Sequence, residues 1–468
     1  GGTIDVSGKD SIGIYAKDAT SDTLIKNSIV NAKDGAVAFY ADGSVGNEST
    51  IKIDGVTSNI GDGGLLFFNY TGTGTGQVGK FNILSSGMTA NILSGGVAFY
   101  NRGNIGSEAN FLNMVNGNNL TLNMSSGSRL FVFDDPGITQ NLSTIPTSVV
   151  GTSVSNASGT GTINIIGSDY KYTTANKATL NINQNVNLDS SGDSYYKVDF
   201  FSSNVNVGIP SSSIMTNNGN PIANSLKYAI AQKNSGATPG SLVVDIKSSG
   251  QIRLTNQTGL VGVITDRGTI INNGIVESSG ESGIGLLGAN GSRVTNNSSI
   301  IIGNGGAGIM GINVLPGGSI GNIDLTNNGT ISYAPTSSTI LPSYGIVAKN
   351  DNYVSAGTTS NVTLGSGSLI DLSNNQESVG VYASNSNIID NGGDIKIGVK
   401  GIGMQLINPL SMSMTGGTIT GSSTSTEAIG IYIESGASTL QTSKNVTLMG
   451  DKSVGVYIND TLGSMNYT

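Results

Sequence analysis

One short phrase recurs along this chain: an aliphatic residue, a glycine or alanine, a second apolar residue and then often an aromatic one. Its clear copies begin at Ile12, Val37, Val97, Val261, Ile284, Ala307, Tyr344, Val379, Ile402, Ile429 and Val454. Within the regular stretches, neighbouring copies lie 23 to 27 residues apart. Self-similarity at a period of roughly 20 to 50 residues is typical of a solenoid, which grows by stacking one unit on the next.

The repeated phrase has the composition of a β-strand, because branched and aromatic residues suit a pleated surface. A second phrase lies between its copies and alternates apolar with polar residues, as in Thr3–Val6, Thr50–Ile53 and Asp394–Ile397. The sequence therefore predicts an all-β parallel β-helix with two or three short strands and about 25 residues in each coil. Positions such as Ile12 and Ile14 are expected to point inward, and the small second residue reflects either a tight bend or close packing outside.

The composition agrees with such a solenoid and narrows the class of protein. The 468 residues include 69 Gly and 9 Pro, and only 11% are charged, whereas 37% are apolar. The net charge of −8 argues against binding to nucleic acid or to an anionic membrane, which both require clustered Lys and Arg. No run of about 20 apolar residues is present, so we expect no membrane insertion by this segment.

Several copies of the phrase resemble repeats of a known family. Ser11–Ala16, Ser378–Ala383 and Ser453–Ile458 are similar to repeats in very large autotransporter adhesins of fusobacteria, which belong to type V secretion. The resemblance implies a right-handed, single-stranded β-helix passenger at the cell surface, anchored by a C-terminal outer-membrane β-barrel outside this chain. It also implies adhesion to a host-cell glycan, a host surface receptor or a partner bacterium. Because the sequence starts and stops within repeats, we expect a fragment of a longer chain.

The repeat is disturbed in the middle of the chain. This divides the sequence into regular coils at 1–102, longer coils with projecting loops at 103–257, and regular coils at 258–468. Loops on a rigid scaffold are common binding sites, and the middle part concentrates aromatic and acidic residues. The predicted ligand-binding residues are Tyr170, Tyr172, Tyr195, Tyr196, Asp199, Phe200 and Phe201. The alternative is that these aromatic side chains fill the interior of thicker coils.

Catalysis is not expected from this composition. The chain has no His and no Cys, which excludes the usual Ser-His-Asp and Cys-His arrangements and Cys- or His-based zinc sites. We therefore predict no catalytic residue, no metal site and no cofactor. The acidic groupings that could serve a glycosidase are Asp134 with Asp135, and Asp193 with Asp199. The first two are neighbours on a predicted strand and would point to opposite faces.

Three hypotheses follow. The leading one is a surface-adhesin passenger segment that binds its ligand non-covalently through 103–257. The second is a purely structural stalk, which would bury nearly all of these loop aromatics. The third is a polysaccharide-degrading enzyme, which requires a cleft with two carboxylates roughly 5–9.5 Å apart.

Overall fold

The structure is a computed structural model in which part of the chain is described. The described residues are 1–18, 23–43, 49–72, 79–103, 115–117, 120–125, 128–134, 139–142, 152–155, 162–167, 171–175, 179–182, 197–201, 204–207, 227–233, 243–246, 248, 250–254, 258–312, 321–335, 340–350, 359–434, 439–459 and 466–467. Within these ranges, backbone alone is described at 71–72, 103, 116–117, 133–134, 139–229, 231–233, 439–441 and 466–467.

The chain divides into two compact units, Gly1–Gly219 and Asn220–Thr468. The described regular structure is β throughout, with no helix in these ranges. The strands of the first unit are β1 (Thr3–Ser7), β2 (Ile12–Lys17), β3 (Thr23–Lys26), β4 (Ile29–Lys33), β5 (Val37–Asp42), β6 (Ser49–Asp54), β7 (Val56–Ile60), β8 (Leu65–Gly72), β9 (Gly79–Ile83), β10 (Met88–Ile92), β11 (Val97–Gly103), β12 (Val115–Gly117), β13 (Leu120–Met124), β14 (Arg129–Asp134), β15 (Thr139–Leu142), β16 (Thr152–Ser155), β17 (Thr162–Gly167), β18 (Lys171–Ala175), β19 (Thr179–Ile182), β20 (Lys197–Phe201) and β21 (Asn204–Val207).

The strands of the second unit continue the numbering. They are β22 (Lys227–Lys233), β23 (Val243–Ile246), β24 (Gln251–Leu254), β25 (Leu260–Asp266), β26 (Thr269–Asn272), β27 (Ile275–Ser278), β28 (Ile284–Ala289), β29 (Arg293–Asn296), β30 (Ser299–Ile302), β31 (Ala307–Ile312), β32 (Ile323–Asn327), β33 (Thr330–Tyr333), β34 (Tyr344–Lys349), β35 (Ser360–Leu364), β36 (Leu369–Leu372), β37 (Val379–Ser384), β38 (Ser386–Asp390), β39 (Asp394–Ile397), β40 (Ile402–Ile407), β41 (Ser411–Met414), β42 (Thr418–Gly421), β43 (Ile429–Glu434), β44 (Thr439–Thr442), β45 (Asn445–Leu448), β46 (Val454–Asn459) and β47 (Asn466–Tyr467).

In both units each strand pairs with the equivalent strand of the next coil. In the first unit the sheets run β1-β4-β7-β10-β13-β17, β2-β5-β8-β11-β14-β18-β20, β3-β6-β9-β12 and β15-β19-β21. In the second unit they run from β22 to β46, from β23 to β47 and from β24 to β45, with every third strand in each sheet. The pairing is parallel except for β16, which pairs antiparallel with β17. The predicted all-β parallel solenoid is confirmed, with roughly 27 residues per turn rather than about 25.

The interior of each unit is formed by inward rows of side chains stacked from coil to coil. In the first unit Phe39, Phe67, Phe99 and Phe131 are fully buried, and their successive ring centroids are 5.8, 5.7 and 5.0 Å apart. These rings stand at the third position of the repeated phrase, the position of Ile14, so inward stacking is observed at that position, whereas Ile12, which was also expected to point inward, is 37% exposed. Burial of aromatic rings in close contact is the main stabilising contribution available to such coils.

The small second residue of the phrase is explained by close packing inside the coil. In the second unit, a Cβ atom added to Gly403 would lie 2.5 Å from the carbonyl oxygen of Gly430 and 2.6 Å from Cγ2 of Ile419. Gly285, Gly345 and Gly380 meet the equivalent glycine carbonyl and an equivalent isoleucine at similar distances. Glycine is thus required by the approach of backbone and of a buried isoleucine, which differs from both alternatives left open by the sequence, a tight bend and close packing outside.

Asparagine ladders join successive coils beside these apolar rows. In the second unit Asn272, Asn296 and Asn327 are fully buried. The Nδ2 of Asn272 donates to Oδ1 of Asn296 at 2.8 Å, and the Nδ2 of Asn296 donates to Oδ1 of Asn327 at 2.8 Å. Buried amides need such partners, because an unsatisfied polar group in the interior is destabilising. The ladders therefore help to hold equivalent strands in register.

Candidate binding site

A row of aromatic side chains lies on the outer side of the sheet that contains β2, β5, β8 and β11. Tyr15, Tyr40, Phe68 and Tyr100 occupy equivalent positions in these four strands. Their successive ring centroids are 5.2, 4.9 and 5.6 Å apart. Each follows an inward residue of the repeated phrase, and successive side chains of a strand point to opposite faces. The same phrase therefore supplies an interior stack and an outer aromatic row.

A second row of polar and aromatic side chains lies two residues further along the same strands. Lys17 is in register with Asp42, and Tyr70 with Arg102. The Cζ atom of Arg102 lies 6.0 Å from the centroid of the Tyr70 ring, and 45% of Tyr70 is exposed. Together with the outer aromatic row, these four residues form a surface that we call the aromatic face.

The rings of the outer aromatic row contact one another and differ in orientation. Neighbouring rings in the row cover one another with interplanar angles of 43°, 90° and 21°. Tyr15 is 48% exposed, and its hydroxyl donates to Oδ2 of Asp42 at 2.8 Å. Such a row offers apolar contact area and hydrogen-bonding groups at little cost in conformational entropy, which is typical of protein interaction sites.

Both tyrosines near Asp42 remain neutral over the physiological range. Burial, followed by the Asp42 carboxylate and the neighbouring tyrosines, raises the pKa of Tyr40 to about 12. The hydrogen bond to Asp42, followed by burial, raises the pKa of Tyr15 above its usual value. A neutral phenol can both donate and accept a hydrogen bond. The O–H of Tyr15 is used by Asp42, so the Tyr15 oxygen can accept a hydrogen bond from a partner.

The residues predicted to bind ligand from the sequence are placed only in part. Tyr170, Tyr195 and Tyr196 lie outside the described residues. Tyr172 is in β18, opposite Phe131 in one neighbouring strand and Val198 in the other. That site stays a prediction.

The remaining predicted residues are in β20, where only the backbone is described. Asp199 and Phe200 pair with Thr173 and Thr174 of β18, and Phe201 ends the strand. Through β14, the position of Asp199 corresponds to that of Tyr100 in the outer aromatic row. The register therefore joins this predicted residue to the same row as the aromatic face.

The register also places a copy of the phrase in β14. Leu130 resembles the start of a copy in the sequence, but Arg129 pairs with Val97 and Phe131 with Phe99, so this copy begins at Arg129. Phe131 thus occupies the inward third position and is fully buried. A further copy, Leu65–Phe68, was missed because Leu66 replaces the usual small residue.

The second unit carries two aromatic pairs, of which Tyr432 and Tyr457 are at the equivalent outer position, whereas Tyr344 is the first residue of its copy and is in register with Val379 and not with Tyr382. The ring centroids of Tyr344 and Tyr382 are 6.4 Å apart, and those of Tyr432 and Tyr457 are 5.3 Å apart. Gln405 lies between Tyr382 and Tyr432 in the register. The longest uninterrupted outer aromatic row in the described part of the chain is therefore in the first unit.

The described residues contain no group of three or more potential metal ligands placed to hold an ion. In the same ranges we find no helix with the length and apolar character needed to cross a membrane.

Comparisons with known proteins add little to these observations. No protein-family model matches the chain, and no curated protein matches it. One solved structure that matches is the "Crystal structure of TibC-catalyzed hyper-glycosylated TibA55-350 fragment", at 12% identity over 100% of both chains and a TM-score of 0.16. A likeness this weak supports no conclusion about fold or function, so the proposals below depend on the residues and their geometry.

Proposed function

We propose that this chain is a passenger segment of a cell-surface adhesin, exported by type V secretion, and that it binds a ligand on an opposing surface non-covalently. The resemblance of its repeats to those of autotransporter adhesins motivates this assignment, and the β-solenoid fold is compatible with it. The observation that carries the binding role is the aromatic face. It combines a row of four outer rings in contact with an exposed tyrosine and both signs of charge on one sheet of the first unit.

The geometry of the aromatic face favours a protein receptor over a sugar at this surface. A sugar ring stacks on the open plane of an aromatic side chain, whereas the planes of Tyr40 and Phe68 are covered by their neighbours in the row. Ring edges, phenol hydroxyls and the guanidinium of Arg102 are the groups that anchor protein interfaces. Many copies on one cell would make a weak individual contact effective.

Non-covalent recognition, rather than catalysis, is the activity that we propose. Of the acidic groupings considered from the sequence, Asp135 and Asp193 lie outside the described residues, and only the backbone of Asp134 and Asp199 is described. The pKa of a catalytic acid is commonly perturbed. The acidic groups with a clearly shifted pKa are Asp54 and Asp371 in the described residues, and in both the pKa is lowered by hydrogen bonds and a lysine.

The test is saturable binding of the purified chain to host and bacterial cells. The variant Tyr15→Ala/Tyr70→Ala removes two exposed rings, so it should fold normally. If both are anchors of the interface, binding should weaken at least about tenfold, since hot-spot truncation costs about 1.4 kcal/mol or more. Tyr457→Ala, which removes a tyrosine of similar exposure in the second unit, is the matched control and should bind normally.

Two other outcomes would contradict this assignment. Unchanged binding by the double variant would move recognition away from the aromatic face. If the native chain binds to none of the cells, the segment acts as a stalk and the adhesive role is wrong.

A further inference from the structure

A groove of about 460 Å³ lies on a different sheet of the first unit, along the outer side of β1, β4 and β7. One wall is an amide ladder formed by Asp5, Asn31 and Asn59, and the other contains Lys33, Gly61 and Leu93. We call it the amide groove. Its volume falls in the range of roughly 300–1,000 Å³ that is common for small-ligand sites.

The shape of the amide groove follows from the residues on its second wall. Gly61 has no side chain, and a Cβ atom there would approach within 3.0 Å of the Cβ of Lys33. The lack of a side chain at Gly61 leaves this part of the groove open, whereas Asn59 continues the ladder into the next coil, because its Oδ1 accepts a hydrogen bond from Nδ2 of Asn91 at 2.8 Å. Leu93 also lines the groove and is 45% exposed, so an apolar surface lies beside the row of polar side chains.

The hydrogen bonds within the ladder leave donors and acceptors for a ligand. The Nδ2 of Asn31 donates to Oδ1 of Asp5 at 2.7 Å, and the Nδ2 of Asn59 donates to Oδ1 of Asn31 at 2.8 Å. Each amide nitrogen carries two N–H groups and each carboxylate two oxygens. One N–H of Asn31 and Oδ2 of Asp5 are therefore not used by these bonds. Asn31 and Asp5 both line the groove and lie on neighbouring strands, so this donor and this acceptor are about one strand spacing, ~4.8 Å, apart.

We propose that the amide groove binds a neutral, hydroxyl-rich oligosaccharide in an extended form. A sugar hydroxyl both donates and accepts, which matches the mixed polar groups of the ladder. The C–H face of a sugar ring fits the exposed surface of Leu93. Asp5 and Lys33 contribute one charge of each sign, so the groove favours no net charge on its ligand. Lys33 is held only by a 3.8 Å ion pair with Asp34, in which both side chains are largely exposed, and such pairs are weak.

An extended peptide fits the amide groove less well. Peptides that bind to sheets usually add a strand to a free edge through backbone hydrogen bonds. The groove crosses β1, β4 and β7, of which β4 and β7 are already paired on both sides and β1 is paired with β4 alone. It lies across the outer face of the sheet and not along the edge of β1, so a peptide in the groove would not add a strand there. Its polar groups are side-chain amides and a carboxylate repeated once per coil, which suits a ligand whose own polar groups repeat along its length.

The test is a glycan array that contains neutral, sialylated and sulfated oligosaccharides, followed by calorimetry with the neutral oligosaccharide that binds best. The variant Asp5→Ala/Leu93→Ala should weaken binding at least about tenfold. The exposed pair Leu410→Ala/Asp451→Ala lies in the second unit and is the matched control, which should bind as the native chain does. Circular dichroism checks that each variant keeps its β-structure, and Leu93→Ala alone replaces the double variant if that one does not fold.

Three outcomes would overturn the proposal: binding only to charged glycans, unchanged binding by the groove variant, or binding to a peptide library with no neutral glycan bound. The amide groove and the aromatic face are separate, so their tests can be told apart. Tyr15→Ala/Tyr70→Ala should lose attachment to cells and keep oligosaccharide binding, whereas Asp5→Ala/Leu93→Ala should lose oligosaccharide binding.

Discussion

A buried ion pair in the second unit allows a sharp test of how its coils are held together. Nζ of Lys444 lies 2.6 Å from Oδ2 of Asp390, and neither side chain has any exposed surface. Oδ1 of Asp390 accepts hydrogen bonds from the backbone N–H groups of Gly392 and Gly393 at 3.0 and 2.9 Å. Nζ of Lys444 also donates to the carbonyl oxygens of Gly393 and Gly416. The pair thus connects the turns of successive coils.

Replacing Lys444 with Met keeps most of the side-chain volume and removes the charge that compensates Asp390. Breaking a buried pair by removing one partner costs about 3–5 kcal/mol, because a charge is left unpaired in the interior. Both groups are fully buried, so solvent does not reduce this value. We therefore expect amide hydrogen exchange in β38, β42 and β45 to accelerate on the order of 10²- to 10³-fold or more.

Local exchange is the appropriate measurement, because solenoid units need not unfold in one step. The control is Lys452→Met, which breaks an ion pair with Glu427 at 3.8 Å in which the side chains are 80% and 46% exposed. Exposed pairs contribute about 0–1 kcal/mol, so exchange there should change little. The double variant Lys444→Met/Asp390→Asn should be less destabilised than the sum of the single variants. Native-like exchange in Lys444→Met would refute a buried, charged pair.

Three further predictions concern the interior and the aromatic face. Gly403→Ala should destabilise the second unit by about 1–3 kcal/mol in chemical denaturation, because its Cβ would lie 2.5 Å from the Gly430 carbonyl oxygen; Gly455→Ala, at the same repeat position with nothing within 4 Å, should be nearly neutral. Asn296→Leu should cost about 1–3 kcal/mol by leaving buried amide groups of Asn272 and Asn327 unsatisfied, whereas Asn297→Leu in the exposed ladder should cost less. Tyr40→Phe removes a phenol whose pKa is raised to about 12. The absorbance difference between the native chain and the variant should therefore titrate near pH 12. The stabilisation from the neutral phenol is present below about pH 10 and is lost as the pH rises through about 12. The packing argument is contradicted if Gly403→Ala and Gly455→Ala have equal effects, and the ladder argument if the two Asn variants do. The argument on Tyr40 is contradicted if the absorbance difference titrates near pH 10.

The solenoid could be predicted from the sequence because its cause is periodic. Stacking places the same chemical demand at the same position of every coil, so Ile14, Phe39 and Val381 share one inward role although they are far apart in the chain. The close packing at Gly403 was not predictable, since the contact joins it to Ile419 and to the next coil. A repeat pattern shows that a small residue is needed at this position, but it does not show whether the close contact lies inside or outside the coil.

The candidate site was sought in the irregular middle of the chain, whereas the aromatic face is in regular coils. The sequence contains the pattern that predicts the aromatic face, because the fourth residue of the phrase is often aromatic and must face outward if the third faces inward. Tyr15 and Tyr40 recur with the phrase and were therefore interpreted as part of the fold and not as a binding surface. The amide groove gives a contrasting case, since Asp5, Asn31 and Leu93 come together only through the register of four strands, β1, β4, β7 and β10.

The outer amide ladders share a feature that orients every amide in them. Asp5, Asp245 and Asp324 each stand at the start of an outer ladder in the described residues and accept a hydrogen bond from the Nδ2 of Asn31, Asn273 and Asn361 respectively. An ionised carboxylate can only accept, whereas an asparagine amide can donate or accept according to how it is turned. An Asp in the first coil therefore makes the next asparagine present its nitrogen, which leaves the oxygen of that asparagine for the coil beyond. The oxygen then selects the nitrogen of the following amide, as in Asn387 donating to Asn361. One carboxylate thus sets the direction of a whole row, and in the first unit it also determines that an N–H group of Asn31 and an oxygen of Asp5 remain for a ligand in the amide groove.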